Sequence, residues 1–231
     1  MVVLGSKVYV SGDARDRTLD GLRSMVGNEL GDLDVEYDVG LRHDDFPTVT
    51  VQGPDETVAR NLLREEFGEM VTDHEDGETY VGTLDSWDDD GFVLDVGFGQ
   101  TVRIPADQIG LGQGTPSQIR TRFGLVQHLP LRFVCLSDGD GETPPTGRLA
   151  DDERDRLYEW TRGTGRLNVN SATRAEVRAT VNRAGHAEDI VTVERLGLLE
   201  QSVVCREGTD PPGLLASVGE YLPAELLAVV P

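Results

Sequence analysis

The runs Tyr80-Val-Gly-Thr-Leu84, Gly91-Phe-Val-Leu-Asp-Val-Gly-Phe-Gly99 and Thr101-Val-Arg-Ile-Pro105 follow one another closely, with Asp88-Asp-Asp90 ahead of the second. Each is short and rich in β-branched or aromatic residues, and each is bounded by glycine, aspartate or proline. This is the signature of antiparallel strands joined by tight turns. Ser117-Gln-Ile-Arg-Thr-Arg-Phe-Gly124 reads as a helical turn, and Leu129-Pro-Leu-Arg-Phe-Val-Cys-Leu136 as a further strand. Short strands with glycine at the corners predict a small closed barrel over residues 78–138.

Outward from this barrel the hydrophobic period changes. On the N-terminal side, Lys7-Val-Tyr-Val-Ser11 reads as a strand and Arg17 to Leu30 as a helix with Leu19, Leu22, Met25, Val26 and Leu30 on one face. Val35 to Val39 and Thr48 to Gln52 read as strands, and a helix runs from Asp55 through Met70. The predicted N-terminal unit is therefore β-α-β-β-α over residues 1–74. On the other side, Asp138-Gly-Asp-Gly-Glu-Thr-Pro-Pro-Thr-Gly147 marks a boundary. Beyond it come a helix from Asp151 to Trp160, a strand at Arg166 to Asn170, and a helix from Arg174 to Ala184 capped by Ser171. Strands at Ile190 to Val193 and Leu198 to Cys205, a helix after Pro211 and a strand at Leu226 to Val230 complete the chain. The order after the first helix is β-α-β-β-α-β, the ferredoxin-like arrangement, over residues 148–231. The fold class expected is α+β in three small modules.

Twenty arginines face one lysine, Lys7, and forty-two acidic residues set the formal net charge at -21. Carboxylates hold water and keep a protein soluble, while arginine keeps its planar donor fork for specific contacts. This composition implies a halophilic, haloarchaeal cytoplasm. In molar salt the screening length is about 3 Å, so an acidic total does not exclude a nucleic-acid partner. No signal-peptide pattern opens the sequence, and no apolar run approaches the roughly 20 residues of a membrane helix, so a soluble cytoplasmic protein is expected. Cys135 and Cys205 each lie in an apolar run and read as buried thiols, with Cys205 inward and inert despite His186 nearby.

The three central strands resemble the first three strands of the OB fold in its ribosomal-protein or cold-shock form, although such glycine-punctuated strands also build SH3-like barrels. The resemblance implies an RNA-binding face on the second and third strands. Stacking aromatics are sparse in this stretch. Over most of its length the chain resembles a conserved archaeal family classified only as a domain of unknown function, the two-one-one-zero family. That likeness is carried by Asn168-Val-Asn-Ser-Ala-Thr-Arg174, Leu196-Gly-Leu-Leu-Glu200 and Cys205-Arg-Glu-Gly-Thr-Asp210. It implies a role in information processing and assigns no catalytic residue.

Between Asp107 and Asp138 lie thirty residues without an aspartate or glutamate. They hold Arg120, Arg122, His128 and Arg132, with Arg103 just before them, and a second gap from Trp160 to Ala175 holds Arg162, Arg166 and Arg174. These gaps predict cationic faces for phosphates, against the plainer account that barrel interiors exclude acids anyway. Arg103, Arg120, Arg122 and Arg132 are the expected backbone contacts, and Phe92 and Phe98 the expected stacking rings. Thr209, Asp210 and Gly213 at the start of the last helix form a secondary candidate anion site, although Thr209 and Asp210 also suit a simple N-cap. His43-Asp-Asp45 and Asp73-His-Glu-Asp76 lack paired ligand spacing, and no metal, cofactor or catalytic constellation is expected. The expected function is non-enzymatic binding of RNA or a nucleoprotein in archaeal translation or transcription. The alternative is a protein-interaction adaptor that docks on a larger complex.

Overall fold

The computed structural model describes residues 1–137 and 145–231. The N-terminal sheet has three antiparallel strands, β1 (Val2–Val3), β2 (Glu36–Leu41) and β3 (Pro47–Gln52), in the order β1-β3-β2. Helices α1 (Asp13–Leu30) and α2 (Glu56–Phe67) cover the sheet through Leu22, Val26, Leu30, Ala59 and Leu63. Two expectations change here. The strand pairing with β3 is Val2–Val3 and not Lys7 to Ser11, where Lys7 pairs with Asp95 and Tyr9 donates to Glu200. Helix α2 stops at Phe67, because Gly68 adopts φ 71° and the chain turns so that Met70 N–H donates to Val3 O at 2.8 Å.

The central strands are β4 (Thr79–Asp88), β5 (Gly91–Asp95), β6 (Thr101–Pro105), β7 (Pro130–Ser137) and β8 (Thr146–Leu149). They close a barrel in the order β4-β5-β6-β8-β7, with β6 and β8 parallel and the other pairs antiparallel. Helix α3 (Pro116–Phe123) follows β6. Its start is fixed by a capping box between Thr115 and Gln118, and its end by left-handed Gly124. The barrel therefore does not end at 138. Its closing strand begins within the expected linker, at Thr146, and runs past it to Leu149; residues 138–144 of that linker fall outside the described part. Helix α4 (Asp151–Arg162), expected to lead the C-terminal unit, instead packs Leu157 and Trp160 into the barrel core.

The C-terminal sheet contains β9 (Arg166–Val169), β10 (Ile190–Arg195), β11 (Gln201–Cys205) and β12 (Leu226–Val229) in the antiparallel order β10-β11-β9-β12. Helices α5 (Arg174–Arg183) and α6 (Pro211–Val218) bury Val177, Val181, Leu214 and Val218 against it. Thr173, not Ser171, caps α5. Its hydroxyl accepts from Glu176 N–H while the Glu176 carboxylate takes the Thr173 N–H, whereas Ser171 stands two residues outside with φ 56°. The modules interlock: Leu198 of the C-terminal part completes the N-terminal core, and Val229 joins the barrel core.

Candidate nucleic-acid interface

The arginines expected to form one cationic face are separated and engaged. Arg103 on β6 holds Asp88 through two hydrogen bonds at 2.8 and 3.0 Å, and this contact pulls the Asp88 carboxyl below its usual range. Arg120 is buried, with its guanidinium 3.7 Å from the Trp87 ring centre and paired to Glu225. Arg122 donates to the carbonyls of Leu111 at 2.8 Å and Gln113 at 3.0 Å. Arg132 pairs with Asp152 at 2.7 Å. The carboxylates that meet Arg120 and Arg132, Glu225 and Asp152, come from outside the acid-free stretch, as Asp88 does for Arg103 ahead of it. The plainer account therefore describes this stretch better than a cationic face does.

The two rings do not serve as stacking platforms on the β5–β6 face. Phe92 is fully buried in the barrel core, because it alternates inward with Leu94 along β5. Phe98 lies in the turn after β5 at φ 57°, with Arg42 4.3 Å from its ring centre and its N–H donating to Asp44 at 3.0 Å. At α6, Asp210 accepts from Gly213 N–H at 3.0 Å and Thr209 Oγ1 donates to Asp189 O at 2.9 Å. The helix's own capping carboxylate thus occupies the place expected for an anion.

Arginines do converge elsewhere. A cleft of about 590 Å³ opens where all three modules meet and is lined by Arg64, Arg132, Arg156 and Arg195. It continues through Arg156 and Arg195 into a second hollow of about 540 Å³ that adds Arg166 and Arg174. Arg166 and Arg174 belong to the second acid-free gap of the sequence. Arg64, Arg156 and Arg195 gave no such signal, because acidic neighbours flank them along the chain.

Carboxylates share the walls: Arg195 pairs with Glu66, Arg156 with Glu153 and Arg166 with Glu194 at 2.5 Å. Most of these pairs are partly open to solvent, where an ion pair contributes only about 0–1 kcal/mol and exchanges readily for another anion. Glu153, 2 % exposed and shared by Arg132 and Arg156, is the exception. Arg174 is exposed and has no carboxylate partner among the described residues.

Beside the groove lies a buried polar junction that the sequence did not reveal. Tyr9 donates to Glu200 at 2.7 Å and accepts from Ser171 N–H at 2.9 Å. Its ring packs 4.0 Å from that of His128, and Lys7 pairs with Asp95 at 2.6 Å. Glu200 lies behind Gly197, which lines the cleft and has no room for a Cβ against the Glu200 carboxylate.

Among the described residues no group of three or more His, Cys, Asp or Glu could hold a metal ion, and no helix is long and apolar enough to cross a membrane. Both cysteines are buried. His186 pairs with Asp189 at 2.6 Å.

Comparison with known proteins follows the three-part architecture. The family models for the DUF2110 N-terminal, central and C-terminal domains match residues 1–73, 74–161 and 164–230. No curated protein matches the chain. The central match takes in both β8 and α4, in keeping with their packing on the barrel. With nearly every residue covered by these three models in order, the chain belongs to the DUF2110 family.

Proposed function

We propose that this protein is a non-enzymatic RNA-binding protein whose ligand runs along the arginine groove between the modules. The carrying observation is the convergence of Arg64, Arg132, Arg156, Arg166, Arg174 and Arg195 from all three parts of the chain on one continuous hollow, in a molecule of net charge -21. Guanidinium groups on separate rigid elements suit the repeated phosphates of a strand. The central barrel is read as an OB fold: its strand order, the helix between the third and fourth strands and the parallel closure of third on fifth support this. The C-terminal strand order supports a ferredoxin-like reading in the same way. Both folds host many functions, so the groove and not the fold carries the proposal. The adaptor reading has no contiguous apolar patch among the described residues to support it. The exposed large hydrophobics, including Tyr37, Val58, Leu136, Val191 and Tyr221, stand on separate elements.

The acidic composition is read as halophilic, with work done in a salt-rich archaeal cytoplasm in translation or transcription. Binding of a short single-stranded RNA is therefore to be titrated at about 0.2 M and about 2 M potassium chloride. The Arg174→Glu/Arg195→Glu variant is expected to lose at least about tenfold in affinity, while Arg103→Glu/Arg122→Glu stays within about twofold of wild type. Binding no stronger than that of an unrelated protein of similar net charge, or equal losses in the two variants, overturns the proposal.

A further inference from the structure

Glu200 immediately precedes β11, and its side chain is fully buried. One carboxyl oxygen accepts from Tyr9 at 2.7 Å, while Oε2 has no hydrogen-bond partner among the described residues. No cation pairs with the group there either. The N–H groups of Leu196 and Gly197 both donate to the Glu200 carbonyl, at 2.9 and 3.0 Å, and this turn folds Gly197 over the carboxyl. A Cβ built on Gly197 would run into Oε2, and the next atoms it would meet belong to the Pro130 ring. Gly197 and Pro130 both line the cleft of about 590 Å³ with Arg64, Arg132, Arg156 and Arg195. One layer of backbone therefore separates an unpartnered carboxyl oxygen from the arginine cleft.

The titratable group packed directly on this carboxyl is Tyr9, from the N-terminal segment, whose own ionisation burial pushes far above its ordinary value. His128 stacks on the Tyr9 ring and feels the charges of Lys7, Asp85, Asp95 and Glu225. Pro130 from the barrel, and Gly197 and Leu199 from the turn, bring no charge. On the cleft side of Gly197 stand the four guanidinium groups with Glu65, Glu66 and Glu153. Burial lifts the Glu200 carboxyl to about 8 from an ordinary 4.5, so near neutrality it is an uncharged acid and above that range an anion.

We propose that Glu200 is a proton-operated switch beneath the RNA groove: uncharged, it leaves the cleft cationic, and ionised, it sets an unneutralised negative charge under a bound phosphate. The inference rests on the groove reading above and adds regulation to it. A charge behind one layer of packed backbone is screened by salt much less than the exposed carboxylates of the groove wall. Linkage makes the effect reciprocal. A bound phosphate disfavours the carboxylate, so RNA binding above the midpoint draws a proton from solvent onto Glu200.

The test titrates a short oligoadenylate, whose bases and phosphodiesters do not change charge over the range, from pH about 6.5 to about 9.5 in about 2 M potassium chloride. Affinity is expressed per folded molecule, with circular dichroism checked at each pH. Wild type is expected to bind about five- to tenfold more weakly at pH about 9.5 than at about 7. Calorimetry in two buffers of different ionisation enthalpy is expected to show proton uptake on binding near the midpoint. Glu200→Gln keeps the shape with no proton to lose. It is expected to hold its affinity within about twofold across the range and to lack the uptake. Tyr9→Phe removes a hydrogen bond that favours the anion, and is expected to move the fall to higher pH.

Wild-type affinity that stays level while RNA binds, or a fall of equal size in Glu200→Gln, overturns the switch and leaves the groove reading standing. Where Glu200→Gln does not fold, Tyr9→Phe decides: an unmoved or lowered midpoint overturns the switch. Absence of RNA binding by wild type at every pH overturns both readings.

Discussion

Tyr9 donates its hydroxyl to the fully buried carboxyl of Glu200 at 2.7 Å, across 191 positions of sequence, and this contact ties the N-terminal module to the C-terminal one. The second Glu200 oxygen has no partner. Burial pushes the group up to about 8 from an ordinary 4.5, more than the Tyr9 hydrogen bond draws it down. The folded protein therefore holds a proton that the unfolded chain releases. The associated stability is fully present below about 4.5 and declines as pH rises through about 8. The urea midpoint of wild type is expected to fall over that window, and Glu200→Gln to flatten the fall. Parallel profiles for the two proteins would refute this.

Lys7 pairs with Asp95 on the barrel, both side chains being largely buried at 13 % and 18 % exposure. His128 is held below its ordinary value first by burial and then by the Lys7 charge. Lys7→Met keeps the aliphatic stem and removes the charge, and it also leaves Asp95 unneutralised. Both changes favour the imidazolium, so the His128 midpoint in an NMR titration is expected to rise. A fall would show that Lys7 does not act on it.

Arg120 lies between Trp87 and Glu225, and the Glu225 carboxylate also accepts from Gln127 N–H at 2.7 Å. Arg120→Ala is expected to cost about 2–3 kcal/mol, below the range for a fully buried pair because Glu225 keeps some contact with solvent. Chemical unfolding followed by the combined emission of Trp87 and Trp160 measures it. Affinity for RNA per folded molecule is expected to be unchanged.

Gly91 has φ 146°, and a Cβ there would overlap the Ile104 carbonyl across the β5–β6 ladder. Gly91→Ala is expected to cost more than about 3 kcal/mol, since neither the backbone angle nor the strand spacing yields cheaply. Thermal unfolding decides. A shift of only a degree or two would contradict it.

Burial raises the Cys205 thiol to about 11. Cys205 is expected to stay unmodified by a disulfide reagent near pH 8 until the protein unfolds. Rapid modification of the native protein would place the thiol in a more open setting than its full burial implies.

Local patterning determined much of this molecule. Alternation at Gly91 to Asp95 and Thr101 to Pro105, glycines at the corners, and helical spacing in α1, α2 and α5 sufficed for three α+β parts with a central barrel, because strand and helix periods are written into neighbouring residues. Where those parts end was decided at longer range. Thr146–Leu149 joins the barrel because the ladder from β6 and β7 needs a fifth strand, and Trp160 joins its core because α4 packs back on it.

The sites were less legible still. The absence of carboxylates around Arg120 and Arg132 was visible in the sequence, but Glu225 and Asp152, which neutralise them, arrive from elsewhere in the fold. Arg174 was marked by its acid-free neighbourhood, whereas Arg64, Arg195, Tyr9 and Glu200 meet only when three modules close on one another. Periodicity acts between residues a few positions apart, so one dimension records it. Charge and hydrogen bonding act through space, and the partners of these groups were fixed only when the chain packed.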